Sequence, residues 1–251
     1  MNHLHRAAGA ALALAAAVLL AGCGSSGGSP DIGVGTSLDE PLPAAIAHMT
    51  FTDETGRTVR FSDYAGKTIM LEDMLTLCQE HCPIDTAAFV ETAERYTKTA
   101  HHPDNVVFLS ITVDPARDTP AQLAAYRKLY VGGESDLPQW HLLTASPAEL
   151  HQLWKLLHVY TQKVGEDKGD VVRNWRTGKR LTYDVDHSDI AYVIDNHGTE
   201  RYLLDGQPYL HGARIPPTMR RFMSVEGRHN QEQGAWTATQ AVRILDQVAG
   251  G

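Results

Sequence analysis

The chain of 251 residues is long enough for one domain or for two small ones. Hydrophobic residues make up 43% and charged residues 21%, which excludes a wholly disordered or collagen-like chain. The formal charge of -8 comes without any basic run, so we expect no nucleic-acid partner.

The first 22 residues have the pattern of a bacterial lipoprotein signal peptide. Arg6 precedes an apolar run, Ala7–Ala21, which is shorter than the roughly 20 residues of a membrane-spanning helix. The run ends in Leu-Ala-Gly-Cys, which resembles a lipobox. Cleavage before Cys23 would leave this cysteine to carry the lipid. The sequence therefore predicts a mature protein outside the cytoplasm, held by lipid at the outer face of the cell membrane or in the periplasm.

The residues after the lipobox are rich in glycine and serine, which is typical of a flexible tether. We therefore divide the chain into a signal peptide over residues 1–22, the lipid-attachment cysteine and tether over residues 23–47, and one domain with a C-terminal extension over residues 48–251.

Within this domain, helical and extended patterns alternate along the chain. A hairpin is predicted around Glu54–Gly56, and capping signals begin two helices at Thr119 and Ser146, the first with Gln122 completing a capping box. The remaining predicted elements are strands at Lys67–Leu71, Asn105–Val113, Trp140–Thr144, Ile190–Ile194 and Arg201–Leu204 and helices at Cys82–Thr99 and Trp236–Val248. This order predicts an α/β fold with a central mixed sheet flanked by helices and an N-terminal β-hairpin.

Two long segments do not fit the alternation. Thr161–Thr182 is charged and contains glycine, so it is interpreted as a long loop, a kind of segment that often serves function. Gly206–Gly234 contains three prolines and receives no assignment.

The central motif runs from Thr76 to Pro83 and contains two thiols, Cys78 and Cys82, four residues apart. A helix N-terminus favours thiolate over thiol, so both thiols are expected to be unusually acidic. The pair is open to three interpretations: a structural disulfide, a redox-active pair, or two ligands of a soft metal ion such as Cu(I) or Zn. A short disulfide loop would add little stability, which makes the first interpretation the weakest.

A third ligand is available in the run Tyr183–Ser188. His187 lies directly before the strand Ile190–Ile194, where the end of a sheet can face the cysteine loop. Asp186 or Ser188 would then orient its ring. His81, between the cysteines, is a second and weaker candidate.

Three ordered motifs together resemble the Sco/SenC family of copper-binding assembly factors for cytochrome c oxidase. They are Cys-Gln-Glu-His-Cys-Pro, the segment Val-Asp-Pro-Ala-Arg-Asp-Thr-Pro after the central strand, and Asp-His-Ser before a strand that ends in aspartate. The resemblance covers roughly Asp53–Leu204, and the lipoprotein-type start also suits the family. It implies a thioredoxin-like fold.

The resemblance also implies a function: one copper ion, Cu(I) or Cu(II), bound by Cys78, Cys82 and His187. The copper would be delivered to the copper-site subunit of cytochrome c oxidase by a membrane-anchored chaperone. The alternative is a thiol-disulfide reductase that uses Cys78 and Cys82 on the cysteines of the same oxidase site. Whether the protein is an enzyme stays open at this point.

One departure from the family concerns the strand before the motif. Glu72 and Asp73 stand where the family has apolar and aromatic residues. They are interpreted as extra hard ligands, as partners of a nearby arginine or, preferably, as a solvated strand end, since buried carboxylates are costly.

Overall fold

The computed structural model describes residues 32–132, 137–166, 171–210, 214–229 and 234–250. The predicted signal peptide and Cys23 lie outside these residues. Ten strands are described: β1 Thr36–Pro41, β2 Thr50–Asp53, β3 Thr58–Arg60, β4 Thr68–Met74, β5 Val106–Thr112, β6 Trp140–Thr144, β7 Thr161–Gly165, β8 Tyr183–His187, β9 Ile190–Ile194 and β10 Thr199–Asp205.

Six α-helices accompany the strands in the described ranges: α1 Cys82–Thr99, α2 Pro120–Tyr130, α3 Pro147–Leu156, α4 Pro217–Phe222, α5 Val225–His229 and α6 Ala238–Ala249. Single 3-10 turns lie at Ile46–His48, Phe61–Tyr64 and Pro103–Asn105. The start of α1 at Cys82 and the bounds of β6 and β9 agree with the sequence, because cap residues and apolar runs mark them locally.

Eight strands form one mixed sheet in the order β1-β10-β9-β4-β5-β6-β2-β3. Strands β4, β5 and β6 are parallel, and β9 runs antiparallel beside β4. Helices α1, α2 and α6 pack on one face, where a core forms around Phe89 and Phe108. Helix α3 covers the other face through Leu153 and Trp154. The predicted mixed sheet, its flanking helices and the β2–β3 hairpin are confirmed.

The predicted tether is wrong beyond residue 35. Thr36–Pro41 forms edge strand β1 on β10, and Ile46 is buried in the core. Strand β1 is mostly exposed and polar, so it has no hydrophobic alternation that would mark it as a strand.

The capping signals are confirmed only in part. Thr119 and Ser146 each accept a hydrogen bond from the third residue of their helix, and Glu149 completes the box at α3. Gln122 does not complete the first box, because its side-chain amide donates to the Thr76 hydroxyl over 3.0 Å. The long loop Thr161–Thr182 is also not wholly irregular: its first residues form β7, which pairs with β8 in a separate two-stranded sheet.

Candidate metal centre

The two cysteines lie at the junction between β4 and α1. Cys82 is the first residue of α1, with Pro83 after it, and Cys78 lies in the preceding loop. Both thiols are buried, Cys82 at 1% exposure and Cys78 at 8%, and both are free. The Glu80 amide donates to the Cys78 sulfur over 3.4 Å. This placement agrees with the predicted loop-and-helix arrangement of the motif.

His187 is the last residue of β8 and contacts the cysteine motif. Its Nε2 lies 3.2 Å from the Cys82 sulfur, although 105 residues separate the two in sequence. The Cys82 thiol is in turn hydrogen-bonded to Cys78. The structure thus brings the three predicted ligands to one place. Within the described ranges no three His, Cys, Asp or Glu side chains form a ready-made metal cluster.

Asp73 holds the His187 ring in position. Its Oδ2 lies 2.6 Å from His187 Nδ1, and its Oδ1 accepts a hydrogen bond of 3.2 Å from the Ile190 amide. With Nδ1 engaged, Nε2 is the ring nitrogen that faces the Cys82 sulfur. A metal-binding histidine is commonly oriented in this way by a carboxylate.

The expectation of a solvated strand end is therefore wrong. Asp73 is 5% exposed and Glu72 is 4% exposed, because β4 is a central strand covered on both faces. The Ser110 hydroxyl donates to Glu72 over 2.5 Å. Neither Asp186 nor Ser188 orients the ring: Asp186 is exposed, and the Ser188 hydroxyl accepts from the Tyr160 amide.

The three side chains of the site differ in the direction in which their pKa values are shifted. Burial lowers the pKa of His187, but the hydrogen bond to Asp73 and its charge outweigh burial and raise the pKa to about 9. The hydrogen bond from the Cys82 thiol lowers the pKa of Cys78. Burial raises the pKa of Cys82 well above the ordinary value, so the expectation of an unusually acidic thiol is wrong for this residue. Cys78 is therefore the sulfur that ionises more readily.

Asp118 supports the start of the cysteine loop. Its carboxylate accepts hydrogen bonds from the Thr76 amide (3.1 Å) and the Thr76 hydroxyl (2.5 Å), and from the Thr112 hydroxyl (2.6 Å). Asp118 is fully buried. Asp118 connects the end of β5 to the cysteine loop. The motif that follows the central strand therefore supports the motif that contains the two cysteines.

Asp118→Ala is expected to destabilise the protein by about 3 kcal/mol or more. The change leaves three buried donors without an acceptor, at roughly 1–3 kcal/mol each before relaxation. Urea unfolding measures the loss, with the exposed Asp104→Ala as the control. An effect of the same size in both variants would contradict the assignment.

A second set of contacts anchors the β7–β8 hairpin that carries His187. Arg117 donates to the Tyr183 carbonyl over 2.5 Å and pairs with Asp114. The Tyr183 ring lies between Arg117 and Lys163, 3.9 Å and 3.6 Å from its centroid. The hairpin is thereby fixed to the end of the main sheet.

The site opens into a cleft of about 1280 Å³. Cys78 and His187 line it, together with residues of the β7–β8 hairpin. His81 lines the same cleft with an exposed side chain. The cleft is therefore the side on which Cys78 is accessible.

Sequence reasoning did not identify Asp73 as the partner of His187, nor Asp118 as a support of the cysteine loop. Their signal was nonetheless present, because a carboxylate in or beside an apolar strand is costly unless it is paired. Such a residue predicts a partner, although it does not say which one.

Within the described ranges, no helix is both long and apolar enough to cross a bilayer.

The sequence profile of the SCO1/SenC family matches residues 40–211. A SCO2-like protein of Rickettsia felis is 25% identical over 158 residues, which are 62% of this chain and 68% of the relative. The human mitochondrial SCO1 homolog is 26% identical over 59% of this chain and 44% of its own length. Protein SenC of Rhodobacter capsulatus is 28% identical over 58% of this chain and 57% of its own.

Solved structures match the fold over most of the chain. Bradyrhizobium japonicum ScoI, solved with copper bound, has a TM-score of 0.52 at 21% identity and covers 86% of this chain and 99% of its own. A SCO1/SenC family lipoprotein from Bacillus anthracis has a TM-score of 0.54 at 21% identity, with coverages of 85% and 98%.

A third structure is BsSco, described as having a disulfide switch and as a member of the Sco family of cytochrome c oxidase assembly proteins. It has a TM-score of 0.54 at 17% identity and covers 87% of this chain and 98% of its own. These likenesses confirm the thioredoxin-like fold. Since the profile match spans more than half of the residues, the chain belongs to the SCO1/SenC family.

Proposed function

We propose that this protein is a membrane-anchored extracytoplasmic copper chaperone for assembly of the copper site of cytochrome c oxidase. It would carry one copper ion as its cargo on Cys78, Cys82 and His187. The observation that carries the proposal is the meeting of His187 Nε2 with the Cys82 sulfur at 3.2 Å, beside the second thiol. Family membership and the copper-bound ScoI relative support it.

The donor set fits copper chemistry. Two thiolates suit Cu(I), and an added imidazole accommodates Cu(II) as well. The Asp73–His187 hydrogen bond supplies the orienting partner that such a site needs.

The membrane anchor of the proposal rests on the lipobox and Cys23. The relative from Bacillus anthracis is itself described as a lipoprotein. A lipid at Cys23 would hold the cleft near the surface of the membrane in which the proposed partner, the copper-site subunit of the oxidase, resides.

Copper titration of the reduced soluble domain, residues 24–251, tests the proposal. One equivalent is expected to bind and to produce a sulfur-to-Cu(II) charge-transfer band. Absence of both the band and stoichiometric uptake of Cu(I) or Cu(II) would remove the chaperone assignment.

A thiol-disulfide reductase is the second candidate, because the two thiols differ in the way such enzymes require. Cys78 has the lowered pKa and the greater exposure, which suit an attacking thiolate. Cys82 has a raised pKa and is more deeply buried than Cys78, which suits the resolving thiol.

Cysteine-to-serine variants separate these two roles. Cys78→Ser is expected to slow attack on a glutathione disulfide by more than about tenfold, because only the buried, less acidic thiol remains. Cys82→Ser is expected to keep the attack and to accumulate the mixed disulfide at Cys78. Mass spectrometry after a timed quench measures both, and loss of attack in Cys82→Ser would reverse the assignment.

A further inference from the structure

Helices α4 and α5, residues 217–229, contact the loop between the two cysteines. We call them the C-terminal strap. The strap falls outside residues 40–211, the part of the chain that the family profile matches. It lines the same cleft as the β7–β8 hairpin. Its contacts go to Gln79 and Glu80, two of the three residues between the thiols.

The strap is hydrogen-bonded to the cysteine loop. The Ser224 amide donates to the Gln79 carbonyl over 3.0 Å. The Ser224 side chain is also hydrogen-bonded to the Glu80 carboxylate. The strap is therefore hydrogen-bonded to the short segment whose conformation determines the distance between the two sulfurs.

Gly227 lets the two backbones touch. A Cβ atom at this residue would lie 2.5 Å from the Gln79 carbonyl oxygen and 2.9 Å from the Glu80 Cα. Real Cβ atoms do not approach other atoms so closely, so any side chain here must push the strap away from the loop. The Gly227 amide also donates to the Ser224 hydroxyl over 3.0 Å, which joins the two contact residues.

The strap has a firm base in the main core. Met219 and Met223 are buried at 0% and 2% exposure among the residues that pack on α1 and α6. Phe222 packs against the apolar cluster that contains both cysteines. Arg228 donates to the Met223 carbonyl over 2.8 Å and so closes the turn between α4 and α5. The cysteine loop is therefore held against a buried part of the fold, which restricts its movement.

We propose that the strap holds the Cys78–Cys82 loop in its open dithiol form and thereby opposes disulfide formation. The contacts are made while both thiols are free. A disulfide joins the two sulfurs directly, whereas here both thiols are free and hydrogen-bonded to each other, so the sulfurs have to come closer before they can bond. Closing the bond must therefore move the loop against the strap.

The same dithiol form would bind the copper ion, so this inference rests on the proposed function for its biological role. Its test does not, because disulfide formation is measured without metal. Gly227 and Ser224 are positioning residues that act through the loop, and neither touches the copper.

Gly227→Ala is the first variant to measure. The reaction is that of the two thiols with oxidised glutathione, which forms the Cys78–Cys82 disulfide and two molecules of reduced glutathione. Its equilibrium constant is expected to rise about tenfold, which corresponds to a potential about 30 mV more negative. Gly165→Ala is the matched control, because it lines the same cleft and a Cβ there meets nothing within 4 Å.

Ser224→Ala is the second variant, for the case in which Gly227→Ala fails to fold. It removes the hydroxyl that joins the strap to Glu80 and leaves the backbone bond to Gln79. We expect a smaller shift of the glutathione equilibrium in the same direction, about threefold, and a lower affinity of the dithiol for Cu(I).

The outcomes separate a positioning role from a merely structural one. A fall in melting temperature with an unchanged glutathione equilibrium in Ser224→Ala or Gly227→Ala would overturn the proposal. If the protein binds no copper but the strap variants still shift the glutathione equilibrium, the role of the strap stands and the chaperone function is rejected.

Discussion

Replacing His187 with alanine is expected to abolish tight Cu(II) binding while disulfide exchange stays largely intact. The imidazole is the only proposed ligand that is not a thiol, and its Nε2 lies 3.2 Å from the Cys82 sulfur. Loss of an orienting partner alone costs about 10–100-fold in metal affinity, so loss of the ligand itself should cost more than about 100-fold. Titration with absorption spectroscopy measures binding, and glutathione exchange measures the thiols.

His81→Ala is the matched control for this variant. His81 lines the same cleft and lies between the cysteines, but its side chain is exposed and it was only the weaker candidate ligand. We expect it to retain the charge-transfer band. Equal loss of copper binding in both histidine variants would reject the three-ligand assignment, and equal loss of binding and exchange in His187→Ala would reject the division between the two functions.

Asp73→Asn is expected to lower copper affinity by about 10–100-fold without removing any ligand. The amide keeps the shape of the carboxyl group but not its charge, so it cannot hold the ring as strongly. The pKa of His187, which Asp73 raises to about 9, should fall toward the ordinary 6.5. Nuclear magnetic resonance titration of the ring and competition for Cu(I) measure these two effects.

The same variant has a defined effect on the stability of the metal-free protein. A histidine whose pKa is raised on folding contributes stability below its unfolded pKa of about 6.5. That contribution is lost as the pH rises through about 9. Asp73→Asn should therefore reduce the free energy of unfolding most below pH 6.5 and least above pH 9.

Asp186→Asn is the control for Asp73→Asn. The residue adjoins His187 in sequence but is exposed. The same chemical change there should leave the ring pKa and the copper affinity nearly unaltered. If both variants behave alike, net charge rather than the buried hydrogen bond governs the site.

The sequence by itself determined the elements whose signals are local. The helix start at Cys82–Pro83 depends on the proline in its first turn, and the caps at Thr119 and Ser146 depend on contacts between residues three apart. Strand β5 could be predicted for a similar reason, because its apolar run has to be covered on both faces. Both cysteines and His187 were also recognisable, because their short motifs resemble those of a known family.

Only the tertiary structure decided which residues complete the site. Asp73 and His187 are 114 residues apart, and no local pattern relates a carboxylate in one strand to an imidazole at the end of another. The contact of Gly227 with Gln79 is of the same kind, since it depends on how closely two backbones pack. Local signals arise from interactions within a few residues, whereas the pairing of buried charges is set by the arrangement of the whole sheet.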